Sequence, residues 1–182
     1  MSRFALWRRL DMPGHDAALL ADTGDGHVLQ GTAVFKSAEG PACLSYTVEV
    51  DHDWRARYGR VHGFLPSRRI DHSISRETDG WYLDGNPVPG LDHLLDLDFG
   101  FTPATNILQL QRAEADSQVT FDLPAAWFDV DGRSLTELPQ TYQHIGERTW
   151  RYAAPTVPYE AELEISENGF VKHYPRLWTM ES

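Results

Sequence analysis

The sequence predicts a mainly β protein in which one large antiparallel sheet curls, as an open or spiral barrel, around a single short α-helix. Three observations lead to this prediction: polar and apolar residues alternate along the chain, tight-turn dipeptides recur, and only one segment shows helical spacing. A single short helix cannot cover a large sheet by lying on it, so the sheet is expected to wrap around the helix. We expect one domain, residues 1–182, because no linker or internal repeat divides the chain.

The strands are predicted from alternation and from their turns. In residues 44–51 and 159–166 apolar side chains alternate with polar ones, as in a strand with one wet face. Further strands are predicted over 4–10, 17–22, 27–36, 57–64, 69–76, 118–130, 134–144, 148–153 and 169–174. The dipeptides that suit tight hairpin turns are Asp25-Gly26, Asp79-Gly80, Asp84-Gly85, Asp131-Gly132 and Asn168-Gly169. The short, regular spacing favours antiparallel meanders over βαβ units.

The helix is predicted where the alternation stops, within residues 92–112. Thr102 is a suitable N-cap, and Pro103 suits the first helical position, where its missing N–H costs nothing. Apolar residues then recur at helical spacing, and Arg112 lies near the far end, where a cation suits the helix dipole. A strand that carries two aspartates leads directly into this helix, and we expect any functional pocket at the junction.

The composition narrows the class of protein. The 182 residues carry a net charge of −11, from 27 acidic and 16 basic residues, which disfavours nucleic-acid binding. The lone Cys43 cannot form an internal disulfide, so a cytoplasmic location is expected. No apolar run is long enough to span a membrane. We expect no cofactor and no metal, because the histidines lack the spacing of zinc ligands and no loop is rich enough in oxygen ligands for Ca²⁺ or Mg²⁺.

One block resembles a known family. Residues 95–106, LDLDFGFTPATN, resemble the signature of a bacterial glycolipid-binding family. Trp81, residues 140–142, Tyr152 and residues 169–175 extend the resemblance over nearly the whole chain. The resemblance implies a mostly-β fold wrapped around one helix, a tight homodimer, an acidic pocket and a glycolipid ligand.

Asp96 and Asp98 are the main candidate site residues. They are two residues apart on a predicted strand, so they share a face, with α-carbons roughly 6.5–7 Å apart. If that face looks into the curled sheet, the carboxylates line a cavity near the helix N-terminus. Three interpretations remain open: the acids stabilise the positive end of the helix, they bind a polar ligand, or they serve catalysis or a metal.

Four other residues complete the candidate ligand-binding set. Trp81 and Tyr142 are preferred among many aromatic residues because they belong to the family-like pattern, although most such rings are ordinary core residues. Aromatic faces pack against sugar rings while carboxylates bind the hydroxyl groups. Asn106 lies beside the aspartates, and Arg112 could keep them ionised as a counter-charge.

The resulting functional hypothesis is a non-enzymatic or weakly enzymatic binding protein for a glycolipid or another sugar-headed amphiphile. Its pocket would be acidic and lined with aromatic residues. The alternative is a carbohydrate-active hydrolase that uses the paired aspartates, because inverting glycosidases need two carboxyl groups roughly 6.5–9.5 Å apart. A third hypothesis is a structural dimer without a small ligand.

Overall fold

The computed structural model describes residues 2–115 and 118–181. It is mainly β with one short helix, α1 (Asn106–Glu114), which confirms the predicted fold class. The strands are β1 (Arg3–Arg9), β2 (Gly14–Thr23), β3 (Gly26–Ser37), β4 (Gly40–Val50), β5 (Ala56–Leu65), β6 (Arg68–Glu77), β7 (Gly80–Leu83), β8 (Asn86–Val88), β9 (Asp96–Phe99), β10 (Thr120–Asp122), β11 (Ala125–Asp129), β12 (Ser134–Leu138), β13 (Thr141–Gly146), β14 (Thr149–Ala154), β15 (Tyr159–Ile165), β16 (Val171–Tyr174) and β17 (Trp178–Met180).

Fourteen of the described strands form one antiparallel sheet in the order β10-β13-β14-β15-β16-β17-β1-β2-β3-β4-β5-β6-β7-β8. The sheet stays open, since β10 and β8 are its two ends. A second sheet, β12-β11-β9, joins β9 to β11 in parallel register. Antiparallel meanders dominate, as the spacing of the predicted strands indicates.

The large sheet wraps around α1 and the small sheet. Side chains of α1 reach β13 through Asn106 and β1 through Gln111, which are distant strands of the same sheet. On the other side, a Cβ placed on Gly59 of β5 would lie 2.3 Å from Cδ2 of Leu97 in β9. Glycine at position 59 therefore allows the small sheet to pack directly on the backbone of the large one.

The turns follow the local sequence closely. All five hairpin dipeptides lie at or beside turns between consecutive strands. Asp84 and Gly85 have φ angles of 52° and 76°, as a tight turn with two left-handed residues requires. Strands β7 and β8 flank this turn, and they and β17 add to the strands that alternation predicted.

The helix begins later than the sequence predicts. Thr105 occupies the N-cap position, without a side-chain hydrogen bond to the helix, and Asn106 is the first helical residue. Thr102 is therefore not the N-cap, and Pro103 lies in the turn before the helix. The hydroxyl of Thr102 accepts a hydrogen bond from the backbone N–H of Ala104 at 3.0 Å and donates to the carboxylate of Asp16 on β2, a partner that local sequence does not reveal. Arg112 lies in the last turn, as predicted.

Two predicted strands are each divided between the two sheets. Segment 118–130 contains β10, which pairs with β13 in the large sheet, and β11, which pairs with β12 in the small one. Segment 134–144 is divided in the same way into β12 and β13. In the described part of the chain, no helix is long and apolar enough to cross a membrane.

Candidate functional site

The loop from Gly100 to Thr105 joins β9 to α1 and is fixed at both ends by buried carboxylates. Asp98 and Asp96 point from β9 toward α1, while Leu97 and Phe99 point toward β5, so the predicted alternation is observed. Aspartates on one face of a strand thus meet the helix and loop that follow them in sequence. This junction is the part of the molecule where buried polar groups converge.

Asp98 is buried, with 7% of its surface exposed. Its two carboxylate oxygens accept hydrogen bonds from the Thr105 hydroxyl at 2.5 Å and from the Gln140 amide at 3.0 Å. Burial raises the pKa of Asp98, and these two hydrogen bonds oppose that rise. A carboxylate offers about four lone-pair positions. Asp98 therefore keeps capacity to accept a further hydrogen bond from a ligand hydroxyl.

Asp96 is committed to an ion pair within the protein. It is 2% exposed, and its Oδ2 accepts a hydrogen bond from the Arg112 guanidinium on α1. Burial raises the pKa of Asp96 to about 6, even though Arg112 favours the charged form. The other oxygen, Oδ1, is buried without a hydrogen-bond partner among the described residues. Arg112 thus acts as the predicted counter-charge, but toward Asp96 alone.

A separate buried carboxylate, Asp16, fixes the first half of the loop. Its oxygens accept hydrogen bonds from the Thr102 hydroxyl and, at 2.9 Å, from the Tyr46 hydroxyl. The two hydroxyl oxygens lie 3.0 Å apart, so the three side chains form a closed network. Burial raises the pKa of Asp16 to about 6. Sequence reasoning missed this residue, because its partners lie 30 and 86 positions away.

Asn106 is held by a network of buried amides around Tyr142. Its amide donates to the Tyr142 hydroxyl at 2.7 Å. The hydroxyl proton of Tyr142 faces carbonyl oxygens of Gln109 at 2.9 Å and Gln140 at 3.1 Å. Because Gln140 also contacts Asp98, the network links the helix to the carboxylate. Tyr142 therefore positions Asn106 and Gln140 from behind the site.

A cavity of about 250 Å³ lies against this network. Two buried polar residues, Asp98 and Asn106, line it, and Val157, which is 41% exposed, lies at its outer rim. Trp127 also lines the cavity. Strand pairing explains its position, because its Cα partner in β9 is Asp98 and the two side chains share a face. Other aromatic residues that line the cavity are Phe99, Tyr152, Tyr159, Tyr174 and Trp178.

The structure brings together only part of the predicted site. Asp98 and Asn106 line the cavity, Tyr142 lies behind it, and Asp96 and Arg112 pair with each other beside it. Trp81 lies elsewhere in the core, where its indole N–H donates to the carbonyl of Leu94 at 3.2 Å. Trp127 and Trp178 line the cavity but were missed, since no sequence signal links them to the aspartates.

The arrangement gives no support to the hydrolase alternative. Both carboxyl groups of a glycosidase must flank the scissile bond. Asp96 is engaged by Arg112, and the cavity is lined by Asp98 without Asp96. Within residues 2–115 and 118–181, no group of three or more histidine, cysteine, aspartate or glutamate side chains is arranged to hold a metal ion.

The family described as "Putative glycolipid-binding" matches residues 4–180. The chain belongs to this family. A solved structure, the crystal structure of a DUF1089 family protein from Pseudomonas aeruginosa, is similar with a TM-score of 0.75 and 23% sequence identity. The similarity covers 90% of this chain and 91% of that one, and at this identity it shows a shared fold. No curated protein matches the chain.

Proposed function

We propose that this glycolipid-binding family member binds a sugar-headed amphiphile, with the head group in the cavity beside Asp98. The observation that carries the proposal is the convergence of a buried carboxylate and a buried amide, Asp98 and Asn106, on a cavity walled by aromatic rings. Sugar hydroxyl groups need charged or amide partners, and the C–H faces of a pyranose pack on aromatic rings. The family description supports the same ligand class.

In this proposal each residue has a distinct role. Asp98 accepts a hydrogen bond from a ligand hydroxyl with its spare lone pair, while Thr105 and Gln140 keep the carboxylate in place. Asn106 offers its amide oxygen and its second N–H, since the other N–H donates to Tyr142. Neither role breaks a bond, so the proposed function is binding without catalysis.

The experiment compares octyl β-D-glucoside with 1-octanol, which lacks the sugar, by following tryptophan fluorescence during titration. We expect the glucoside to bind more tightly and the Asp98→Asn variant to lose about 10- to 100-fold of that affinity, as for a hydrogen bond to a charged group. The control is Asp71→Asn, which removes a carboxylate on β6 that is paired with Arg60 and lies outside the cavity. Equal affinity for both probes, or an unchanged affinity in Asp98→Asn, would refute the proposal.

A second pair of variants tests the aromatic wall. Trp127→Phe shortens a ring that lines the cavity, and Trp54→Phe makes the same change at a residue stacked on His27 elsewhere. Only the first is expected to weaken glucoside binding. Native mass spectrometry of freshly purified protein would show a retained amphiphile, and the same spectrum tests the homodimer that the family resemblance predicts.

A further inference from the structure

A second and larger cavity, of about 560 Å³, lies next to the first. Its floor is apolar and buried, formed by Phe35, Leu65, Phe101, Phe128 and Val130. Its rim consists of exposed residues, namely Ala38, Glu39, Pro66, Ser67 and Asp131. An apolar floor beneath an open polar rim suits a hydrocarbon chain that lies in the cavity and enters from solvent.

The two cavities share a thin wall. Gly100 and Trp127 line both of them. A Cβ placed on Gly100 would lie 2.7 Å from the indole Nε1 of Trp127, so glycine allows the ring to lie directly against the loop backbone. Trp127 is only half-buried, so its ring is partly open to solvent at this shared wall.

A stacked arginine forms the other part of the boundary. The guanidinium carbon of Arg9 lies 4.9 Å from the ring centroid of Phe35 and 4.8 Å from that of Trp178. Phe35 lines the larger cavity and Trp178 the smaller one. This stacking fixes Phe35 and Trp178 relative to each other beside the end of β1.

Both cavities lie at the same end of the large sheet. The turns that follow β1, β3 and β5 are at one end, because consecutive strands are antiparallel. β17 begins beside the end of β1, where Arg9 pairs with Trp178, so the β16–β17 turn is at this end too. A ligand could therefore occupy both cavities without crossing the sheet.

The two arginines that line the larger cavity, Arg9 and Arg68, make hydrogen bonds within the protein. Arg9 makes two hydrogen bonds to the carboxylate of Asp11, at 2.9 and 2.7 Å. Arg68 donates from Nη2 to the carbonyl oxygens of Val130 at 2.6 Å and Asp131 at 2.7 Å, while its Nε is buried without a hydrogen-bond partner among the described residues. The apolar floor is the surface that suits a hydrocarbon chain.

We propose that the larger cavity holds the hydrocarbon chain of the amphiphile whose head occupies the smaller cavity, with the chain passing along Trp127. This inference rests on the proposed function. The smaller cavity lies below the roughly 300–1,000 Å³ typical of ligand sites, whereas the two together lie within that range. The ligand class is thus a single-chain glycoside, and the affinity should increase with chain length.

The test measures the dissociation constants of methyl, hexyl, octyl and decyl β-D-glucoside below their micelle concentrations. Each buried methylene should tighten binding by up to about 4-fold, the equivalent of about 0.8 kcal/mol. Ala38→Trp and, independently, Ser67→Trp place a large side chain at the rim of the larger cavity. Either variant should flatten the dependence on chain length to less than about 2-fold per methylene, while methyl glucoside binding stays as in the unmodified protein.

The control is Ala17→Trp, which adds the same bulk at an exposed site on β2 outside both cavities. An affinity that does not change from hexyl to decyl glucoside would overturn the inference and leave the proposed function intact. The same holds if chain-length dependence survives in both rim variants. If no glucoside binds at any chain length, the proposed function fails and the inference fails with it.

Discussion

Replacing Asp16 with asparagine should stabilise the protein at neutral pH and have little effect in acid. Asp16 is buried against the Tyr46 and Thr102 hydroxyls, and burial raises the pKa of its carboxyl from 3.8 to about 6. Asparagine keeps the shape and can still accept these hydrogen bonds, but it carries no charge. The variant therefore removes the cost of a buried charge and retains most of the packing.

The magnitude follows from proton linkage. Since the pKa of Asp16 is higher in the folded than in the unfolded protein, the folded state binds the proton more readily between about pH 4 and pH 6. The free energy of unfolding therefore falls as the pH rises through this window, and the loss is complete above about pH 6. A pKa difference of about two corresponds to about 3 kcal/mol.

The assay is urea unfolding, followed by tryptophan fluorescence, of the unmodified protein and Asp16→Asn at a series of pH values. The difference in unfolding free energy, variant minus unmodified, should rise by about 3 kcal/mol from pH 4 to pH 7.5. Other titrating groups cancel in this difference. Asp71→Asn, an exposed carboxylate paired with Arg60, controls for the loss of one negative charge. A difference that stays constant with pH, or that falls toward neutral pH, would refute the reasoning.

Three further changes should destabilise the protein for different reasons, and thermal melts against the unmodified chain measure each. Arg112→Leu leaves the buried Asp96 charge unpaired and should lower the free energy of unfolding by about 3–5 kcal/mol at neutral pH. The loss should be smaller at pH 5, where Asp96 is mostly protonated, and a loss that does not change with pH would contradict this. Tyr142→Phe leaves buried amides without a partner and should cost about 1–3 kcal/mol, so an unchanged melt would argue against the network. Gly59→Ala places a methyl group against Leu97 and should cost about 1–3 kcal/mol, which Leu97→Ala in the same chain should partly relieve.

Local sequence was sufficient for the strand–helix junction but not for the start of the helix. The alternation that sent Asp96 and Asp98 to one face depends only on the strand period, so it could be predicted. The Thr102 hydroxyl does accept a hydrogen bond from the backbone N–H of Ala104, as an N-cap side chain would, and it donates its own proton to the buried carboxylate of Asp16. The helix nevertheless begins only at Asn106, and the contact with Asp16 is long-range, so neither could be predicted from local sequence.

The division of two predicted strands had a sequence signal that alternation alone overlooked. Pro124 lies between β10 and β11, and Pro139 lies between β12 and β13. Proline lacks the N–H that a sheet interior needs, so a strand that reaches a proline commonly ends or changes partners there. The switch between sheets at these two points places Trp127 beside Asp98, which is why that side of the cavity could not be predicted from the aspartates.

The structure separates two aspartates that the sequence presents as an equivalent pair. Burying carboxylates costs stability, and a pair such as Asp96–Arg112 repays that cost only through good geometry within the protein. Asp96 fits the structural interpretation, since its counter-charge comes from the helix that it precedes. Asp98 has no cation of its own among its hydrogen-bond partners in the described chain, only hydroxyl and amide donors, and it faces a cavity. Asp16 is likewise buried with hydroxyl donors and no cation among its hydrogen-bond partners in the described chain, but it does not line the cavity. What distinguishes Asp98 is that it lines the cavity, so the proposed recognition of a sugar head depends on Asp98 and not on the pair.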